Sequence, residues 1–317
     1  MKIAFHDNSL SLRGTTTAIY DWAYWTRHYL EIEPIVMYNI NHPANNQDVL
    51  KKFKKEFLVF DYSNNSQIDY ILEKNKCDYF FMMKGGSNDG VISTNCKNLV
   101  SATSSAWKRE WIHGDVYAMC SEWLSKLTDF TVPCVPHIVY LPDVETDMRE
   151  ELSIPKSDLV FGRNGGWETF DLGFVKNAIS QVLSERPDVW FVFQFTQPFI
   201  EHERVIYLPG SSCLETKTKF INTCDVMLHA RNQGESFGLS CGEFSIRNKP
   251  VITYYNSPEK NHIDTLNEKG IYYENYSDIL HILRNLDKNE INSLEWNCYQ
   301  EYNPRKVVQK FKEIYLN

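Results

Sequence analysis

The fold is decided by the segment Val226–Glu243, which reads VMLHARNQGESFGLSCGE. Its first part, Val226–Ala230, is a short and largely apolar run that predicts a buried strand. A polar turn with Gly234 follows, and the spacing then predicts a helix over Phe237–Arg247 with Ser236 as its N-cap. A buried strand that leads through a short turn into a helix is typical of parallel α/β sheets.

The turn and the start of the predicted helix carry groups that suit a sugar nucleotide. The amides of Phe237, Gly238 and Leu239 would have no partner inside the helix, and such amides favour a diphosphate. Glu235 in the loop and Glu243 two turns into the helix can each accept hydrogen bonds from sugar hydroxyls. The alternative is a capping glutamate and a helix-face glutamate. It fits poorly with two glycines in a short helix, where each glycine costs roughly 1 kcal/mol relative to alanine.

A second glycine-rich loop follows the predicted strand Leu159–Gly162. It contains Arg163, Asn164 and Gly165, and an arginine at a strand end suits a phosphate because its guanidinium is always charged and can bind two phosphate oxygens. The alternative, which the sequence favours equally, is that Arg163 is a solvated residue beside a turn. At the end of the strand Val226–Ala230, His229 is read either as a structural histidine or as a sugar contact, and Arg231 is a further candidate for donor binding.

A third candidate loop lies near the N-terminus, between the first predicted strand and the first predicted helix. Gly14 lets a ligand approach the backbone, Thr15 or Thr16 can cap the helix, and Arg13 adds a positive charge. An ordinary strand-to-helix turn is the alternative. The segment lacks the GxGxxG spacing, and no other segment has it, which weakens the case for a dinucleotide-dependent dehydrogenase.

Strands and helices alternate through both halves of the chain. Between the halves, Thr131–Asp143 carries three prolines and is followed by the charged run Glu145–Glu151, a pattern that indicates a linker. We therefore predict two doubly wound α/β domains that face a cleft: an N-terminal domain over 1–143 and a C-terminal domain over 144–302. A final helix over about 303–317 is expected to pack back on the first domain.

Composition narrows the class of protein. The 317 residues include 33 Lys and Arg against 41 Asp and Glu, a formal charge of −8 that disfavours nucleic-acid binding. The eight cysteines lack zinc-knuckle spacing, so no metal site is predicted, and their place in apolar runs favours a reducing compartment. No apolar run is long enough to span a bilayer, and the start of the chain does not resemble a signal peptide. We expect a cytoplasmic protein, with membrane contact not indicated.

The segment Gly234–Glu243 resembles the E-x7-E motif of the retaining GT-B enzymes of glycosyltransferase family 4. The surroundings are similar as well, including Cys224–Leu228 before it and Asn248–Ile252 after it. The Arg13-Gly14 loop and Arg163 are similar in position to the glycine loop and the phosphate-binding arginine of that family. The resemblance covers nearly the whole chain, and its motifs are specific to the superfamily rather than to one sugar.

The resemblance implies a GT-B fold in which domain two binds the donor and domain one binds the acceptor. Glu235 would contact the transferred sugar and Glu243 the ribose. Arg163 and the amides near Gly238 would stabilise the departing diphosphate, so no metal or other cofactor is required. The sugar would be transferred with retention of its anomeric configuration.

Two family positions differ in this chain. The lysine that usually follows the arginine by about five residues would fall near Glu168, and no lysine lies between Arg163 and Lys176. The histidine often found at the end of a strand in domain one is replaced by Ser101 or a neighbour. The nearest histidine is His113, which is read either as an acceptor-side catalytic residue or as a loop histidine.

These observations predict a metal-independent glycosyltransferase that moves a sugar from a nucleotide-sugar donor to a glycan or other hydroxyl acceptor. Two alternatives remain. One is a protein that binds nucleotide-sugars without catalysis, suggested by the absent lysine and histidine. The other is a sugar-nucleotide epimerase or hydrolase on the same scaffold. Neither the base nor the sugar of the donor can be read from the loops.

Overall fold

A computed structural model describes residues 1–317 and divides the chain into two compact units. The N-terminal unit comprises Met1–Ile138 together with Glu301–Asn317, and the C-terminal unit comprises Val139–Gln300. The division falls a few residues before the ends predicted at 143 and 302. Each unit contains one six-stranded sheet with helices around it.

The strands are, in chain order, β1 (Lys2–His6), β2 (Glu33–Asn39), β3 (Leu58–Tyr62), β4 (Tyr79–Lys84), β5 (Lys97–Ala102), β6 (Val116–Met119), β7 (Leu159–Asn164), β8 (Val189–Gln194), β9 (Val205–Leu208), β10 (Val226–His229), β11 (Gly234–Glu235), β12 (Val251–Tyr254), β13 (Glu259–Lys260) and β14 (Ile271–Tyr273). The helices are α1 (Gly14–Leu30), α2 (Gln47–Glu56), α3 (Ile68–Lys74), α4 (Glu122–Lys126), α5 (Gly173–Glu185), α6 (Leu214–Thr223), α7 (Leu239–Ile246), α8 (Asn261–Leu266), α9 (Tyr276–Asn285), α10 (Lys288–Asn292) and α11 (Pro304–Tyr315). Short 3₁₀ helices lie at Asn65–Gln67, Arg109–Trp111, Asn267–Lys269 and Gln300–Tyr302.

The N-terminal unit is built on a parallel sheet with the order β3-β2-β1-β4-β5-β6. The central strand β1 is apolar and buried, as expected for a strand covered on both faces. Helix α11 belongs to this unit, where Phe311 packs its ring against Phe5, Trp22 and Phe81. Its apolar side chains recur at helical spacing, which explains why the last segment of the chain forms a helix against this sheet.

The C-terminal unit repeats the design, with the parallel order β14-β12-β10-β7-β8-β9. Its core includes the stacked rings of Phe161, Phe191 and Phe193 on adjacent strands. A buried ion pair between Arg149 and Asp225, 2.7 Å apart, joins the start of this unit to the residue before β10. The carboxyl ends of β7, β8, β10 and β12 meet at one edge of the sheet, where ligands bind in folds of this kind.

The predicted doubly wound α/β organisation is confirmed in both units. The predicted strands Leu159–Gly162 and Val226–Ala230 lie within two residues of β7 and β10. The sequence reading missed β14 and the two-residue strands β11 and β13, because strands of two or three residues give almost no periodic signal. None of the helices combines the length and the apolar character that crossing a bilayer requires.

Candidate functional site

The helix after the Gly234–Ser236 turn begins later than the sequence indicated. It starts at Leu239, not at Phe237, and its N-cap is Gly238, so the prediction of Ser236 as the cap is wrong. The reason is the backbone of Gly238, whose φ of 89° is left-handed and cannot continue a helix. A Cβ atom on Gly238 would also lie 2.9 Å from Cβ of His262, so the position needs a glycine on two grounds.

Glu235 is fixed by two donors. It lies in β11, which pairs with β13, and its Oε1 is 3.1 Å from Nε2 of His229 while its Oε2 is 3.0 Å from Nη1 of Arg231. Burial alone would raise the pKa of this carboxyl, but the His229 hydrogen bond and the Arg231 charge lower it to about 2. The Glu235 side chain remains 24% exposed, and its ionised carboxylate keeps lone pairs that these two donors do not use.

A hydrogen-bonded chain lies behind Glu235. Nδ1 of His229 is 2.8 Å from Oγ1 of Thr253, and the same hydroxyl is 3.0 Å from Nε2 of His262. The two imidazole rings are 4.9 Å apart. His229 and Thr253 are direct partners in the register of β10 and β12, which is why two residues distant in sequence meet here. His229, whose role the sequence left open, is therefore buried and contacts Glu235.

Glu243 is buried in an ion pair. Its Oε1 accepts a hydrogen bond of 2.7 Å from Nζ of Lys217, and Nδ2 of Asn164 lies 3.4 Å from its Oε2. Lys217 is therefore buried, although lysines on short helices are mostly solvated. Lys217 lies one turn before Phe220 and Ile221, which are fully buried on the same face of α6, and this helical spacing was the signal that could have revealed it.

Arg163 lies inside β7 and is buried, so the alternative of a solvated arginine is wrong. Its guanidinium donates to Oγ1 of Thr196 and, at 2.9 Å, to the carbonyl of Gly166, so it joins the loops that follow β7 and β8. Burial lowers the pKa of Arg163 to about 10, which still leaves it charged at neutral pH. A Cβ on Gly165 would lie 2.6 Å from Nη2 of Arg163, so the guanidinium needs a glycine beside it.

The remaining residues of the motif surround these groups. Phe237 is buried and its ring meets that of Tyr299 edge to face, with centroids 6.2 Å apart. Ser236 and Leu239 are half-buried. Within the C-terminal unit the structure therefore brings together the predicted residues of two loops, namely Arg163, Asn164, Gly165, His229, Arg231, Glu235, Ser236, Phe237, Gly238, Leu239 and Glu243.

The Arg13 loop belongs to the N-terminal unit. Arg13 is the N-cap of α1 and is exposed, but neither it nor a threonine side chain caps the helix. Thr16 instead donates 2.8 Å to Oδ2 of the buried Asp7, and Thr15 also bonds Asp7, so the predicted threonine cap is wrong. Gly14 is the first residue of α1 and has no left-handed φ. Asp7 draws the hydroxyls away from the helix amides.

His113 also lies in the N-terminal unit, between the 3₁₀ helix Arg109–Trp111 and β6. Its Nδ1 is 2.7 Å from the carbonyl oxygen of Trp111, and its ring meets that of Tyr117. Since a carbonyl can only accept, Nδ1 carries a proton. Nε2 is buried and has no hydrogen-bond partner in the protein.

Metal-ligating side chains do not cluster in either unit: no group of three or more His, Cys, Asp and Glu residues is placed to hold a metal ion. No protein-family model matches the sequence, and no curated protein matches it.

Solved structures, in contrast, resemble the whole chain. Anabaena HepE in complex with UDP and glucose matches with a TM-score of 0.74 and 12% identity, covering 99% of this chain and 98% of that chain. A glycosyltransferase from Rickettsia africae matches with a TM-score of 0.68 and 12% identity, covering 100% of this chain and 99% of that chain. A putative UDP-N-acetylglucosamine 2-epimerase from Listeria monocytogenes matches with a TM-score of 0.63 and 11% identity, covering 100% of this chain and 97% of that chain. At these identities the similarity shows the fold, and the chain has the GT-B fold with two Rossmann-like domains.

Proposed function

We propose that this protein is a glycosyltransferase that takes a sugar from a nucleotide-sugar and transfers it to a hydroxyl acceptor with retention of configuration. One observation carries the proposal: Glu235 is ionised, held by His229 and Arg231, and still partly exposed directly before α7. A carboxylate in this state can accept hydrogen bonds from the hydroxyls of a donor sugar. In the reaction the bond from the sugar to the diphosphate breaks, and a bond to the acceptor oxygen forms as the hydroxyl loses its proton.

The leaving diphosphate would be stabilised by fixed positive groups. The free amides at the start of α7, after the Gly238 cap, provide hydrogen-bond donors, and Arg163 and Arg231 provide charge. Glu243 is proposed to receive the ribose, with Lys217 holding its carboxylate in place. Because these groups can neutralise the developing charge, we expect turnover without a metal ion, and an excess of chelator should leave the rate unchanged.

The acceptor, a glycan or a small hydroxyl compound, is assigned to the N-terminal unit. His113 supports this assignment, because its proton on Nδ1 points to Trp111 and leaves Nε2 free to take a proton from an acceptor hydroxyl. Arg13, Gly14 and Thr15 are kept as donor contacts from the loop before α1. Similar structures were solved with UDP, so a UDP-sugar is the first donor to test.

An epimerase is the second candidate, because a putative UDP-N-acetylglucosamine 2-epimerase shares the architecture over the whole chain. The two activities leave different products. An epimerase returns a nucleotide that is still bonded to a sugar, whereas a transferase releases the nucleoside diphosphate.

Thermal stabilisation by UDP-, GDP-, dTDP- and ADP-sugars, followed by NMR analysis of the products, tests the proposal. We expect one nucleotide class to raise the melting temperature, and the product to keep the anomeric configuration of the donor. Inversion at the anomeric carbon would contradict retention. An epimerised nucleotide-sugar would favour the second candidate, and stabilisation without turnover over any acceptor would favour a non-catalytic binding protein.

A further inference from the structure

We propose that Thr253 and His262 are positioning residues that hold His229 as a neutral imidazole with its proton on Nε2, so that His229 donates to Glu235. The inference rests on the proposed contact between Glu235 and the donor sugar. It adds two residues to the site that lie outside the glutamate motif and that no sequence pattern singled out.

The argument starts at Glu235. A carboxylate can only accept hydrogen bonds, so Nε2 of His229, 3.1 Å away, must carry the proton of this contact. Arg231 already supplies a full positive charge to the same carboxylate. The opposite tautomer would set a nitrogen lone pair against a carboxylate oxygen, and Glu235 would have to turn away from His229.

The next link is the Thr253 hydroxyl, which has one proton to share between two imidazoles. If it donates to Nδ1 of His229, it accepts from Nε2 of His262, and both rings are neutral. If it donates to His262 instead, Nδ1 of His229 must carry a second proton. His229 would then be a buried cation beside Arg231, with Arg163 adding charge nearby. Burying a third positive group around one carboxylate is costly, so the first direction is favoured.

His262 lies at the other end of this series of hydrogen bonds. Nδ1 of His262 is buried and lies near the backbone of Glu235, without a partner of full hydrogen-bond geometry. Burial lowers the pKa of His262 to about 3, so this ring stays neutral at working pH. The hydrogen bonds therefore run one way, from His262 through Thr253 and His229 to Glu235.

Nitrogen-15 NMR of the imidazoles tests the assignment without any substrate. In uniformly labelled protein at neutral pH, with His229 identified by the signals that His229→Asn removes, we expect a protonated Nε2 and a bare Nδ1. A protonated Nδ1 on His229 would overturn the inference. Thr253→Val should abolish the fixed tautomer, and Thr253→Ser, which keeps the hydroxyl, should restore it.

Kinetics test the consequence for the site. Thr253→Val should lower kcat by about tenfold and should change the donor KM much less. Losses of about this size follow when a residue that orients a metal-binding side chain is mutated. Thr253→Ser should recover most of that loss. Thr26→Val is the matched control, because Thr26 is also fully buried and bonds a carbonyl, but lies in the N-terminal unit. Equal loss in Thr26→Val and Thr253→Val would indicate a merely structural role and contradict the inference.

The two proposals fail in different ways. If the wild-type protein turns over no donor, the proposed function fails, while the NMR signals of His229 still decide the tautomer. If donor turnover is found but His229 carries its proton on Nδ1, the function stands and the positioning chain is wrong. If Thr253→Val does not fold, the wild-type spectrum and the Thr253→Ser variant still show which nitrogen of His229 carries the proton.

Discussion

Both units have charged side chains at the carboxyl edge of the sheet, but the ion pairs that these side chains form are different. In the N-terminal unit, the Lys84 side chain is 2% exposed and its ammonium lies 2.6 Å from Asp89, whose side chain is 35% exposed. In the C-terminal unit, Glu235 and Arg231 are paired yet remain 24% and 31% exposed. In the first pair the buried partner is a cation, Lys84, whereas in the second a carboxylate, Glu235, is fixed by both His229 and Arg231 and can still accept hydrogen bonds from a ligand. The carboxyl edge of the C-terminal sheet is therefore the better candidate for the donor site.

The largest effect is expected from Glu235→Gln. The amide has the same shape but no negative charge, so donor turnover should fall about 10²–10³-fold while the melting temperature changes little. Glu201→Gln, an exposed glutamate of the same unit, is the control and should leave the rate unchanged. Full turnover by Glu235→Gln would show that the exposed carboxylate is not part of the site.

Asp89→Asn tests the ion pair between Lys84 and Asp89 and should affect stability. It leaves the buried Lys84 ammonium without its counter-charge, so the free energy of unfolding should fall by about 3 kcal/mol in urea denaturation. The double variant Lys84→Met, Asp89→Asn, which leaves no buried charge, should recover much of that loss. A change below about 1 kcal/mol in the single variant would mean that water reaches Lys84, and would weaken the contrast between the units.

Acid should destabilise both units through buried histidines, namely His6 and His137 in the N-terminal unit and His262 in the C-terminal unit. Burial lowers the pKa of His6 and of His262 to about 3, against about 6.5 in an unfolded chain. Below pH 6.5 the unfolded state therefore binds protons that the folded state does not. The free energy of unfolding should fall as pH decreases from 6.5 toward 3, by up to about 1.4 kcal/mol per pH unit for each histidine.

Denaturation series at pH 7, 6 and 5 measure this slope. His6→Gln should make it shallower, whereas His28→Gln, an exposed histidine of the same unit, should not. A slope that His6→Gln leaves unchanged would show that solvent reaches His6 in the folded protein.

The smallest effect is expected from Gly238→Ala. Alanine at a φ of 89°, with Cβ 2.9 Å from Cβ of His262, should cost about 1–2 kcal/mol of unfolding free energy and weaken donor stabilisation. Gly173→Ala is the matched control, since Gly173 begins α5 with open space around it and should change stability by less than about 0.5 kcal/mol. Equal stability of the two variants would mean that the start of α7 adjusts freely.

Much of the fold could be read from the sequence because its signals are local. The strand over Val226–His229 follows from an apolar run and lies where it was predicted, and α1 begins at the Arg13-Gly14 loop, as predicted. The error at α7 has a local cause of another kind: the left-handed backbone of Gly238 overrode the capping pattern at Ser236. Threonine capping of α1 failed because a buried carboxylate, Asp7, competed for the same hydroxyls.

The sequence by itself determined the α/β alternation, the two sheets and the glutamates at Glu235 and Glu243, because periodicity and spacing are properties of neighbouring residues. Only the tertiary structure decided what these glutamates contact. Lys217 reaches Glu243 across 26 positions, and Thr253 reaches His229 across 24. These contacts depend on the order and register of β10 and β12 and on the buried face of α6. Burial and pairing across a sheet are decided by packing between residues far apart in the sequence, and the pattern of neighbouring residues does not predict that packing.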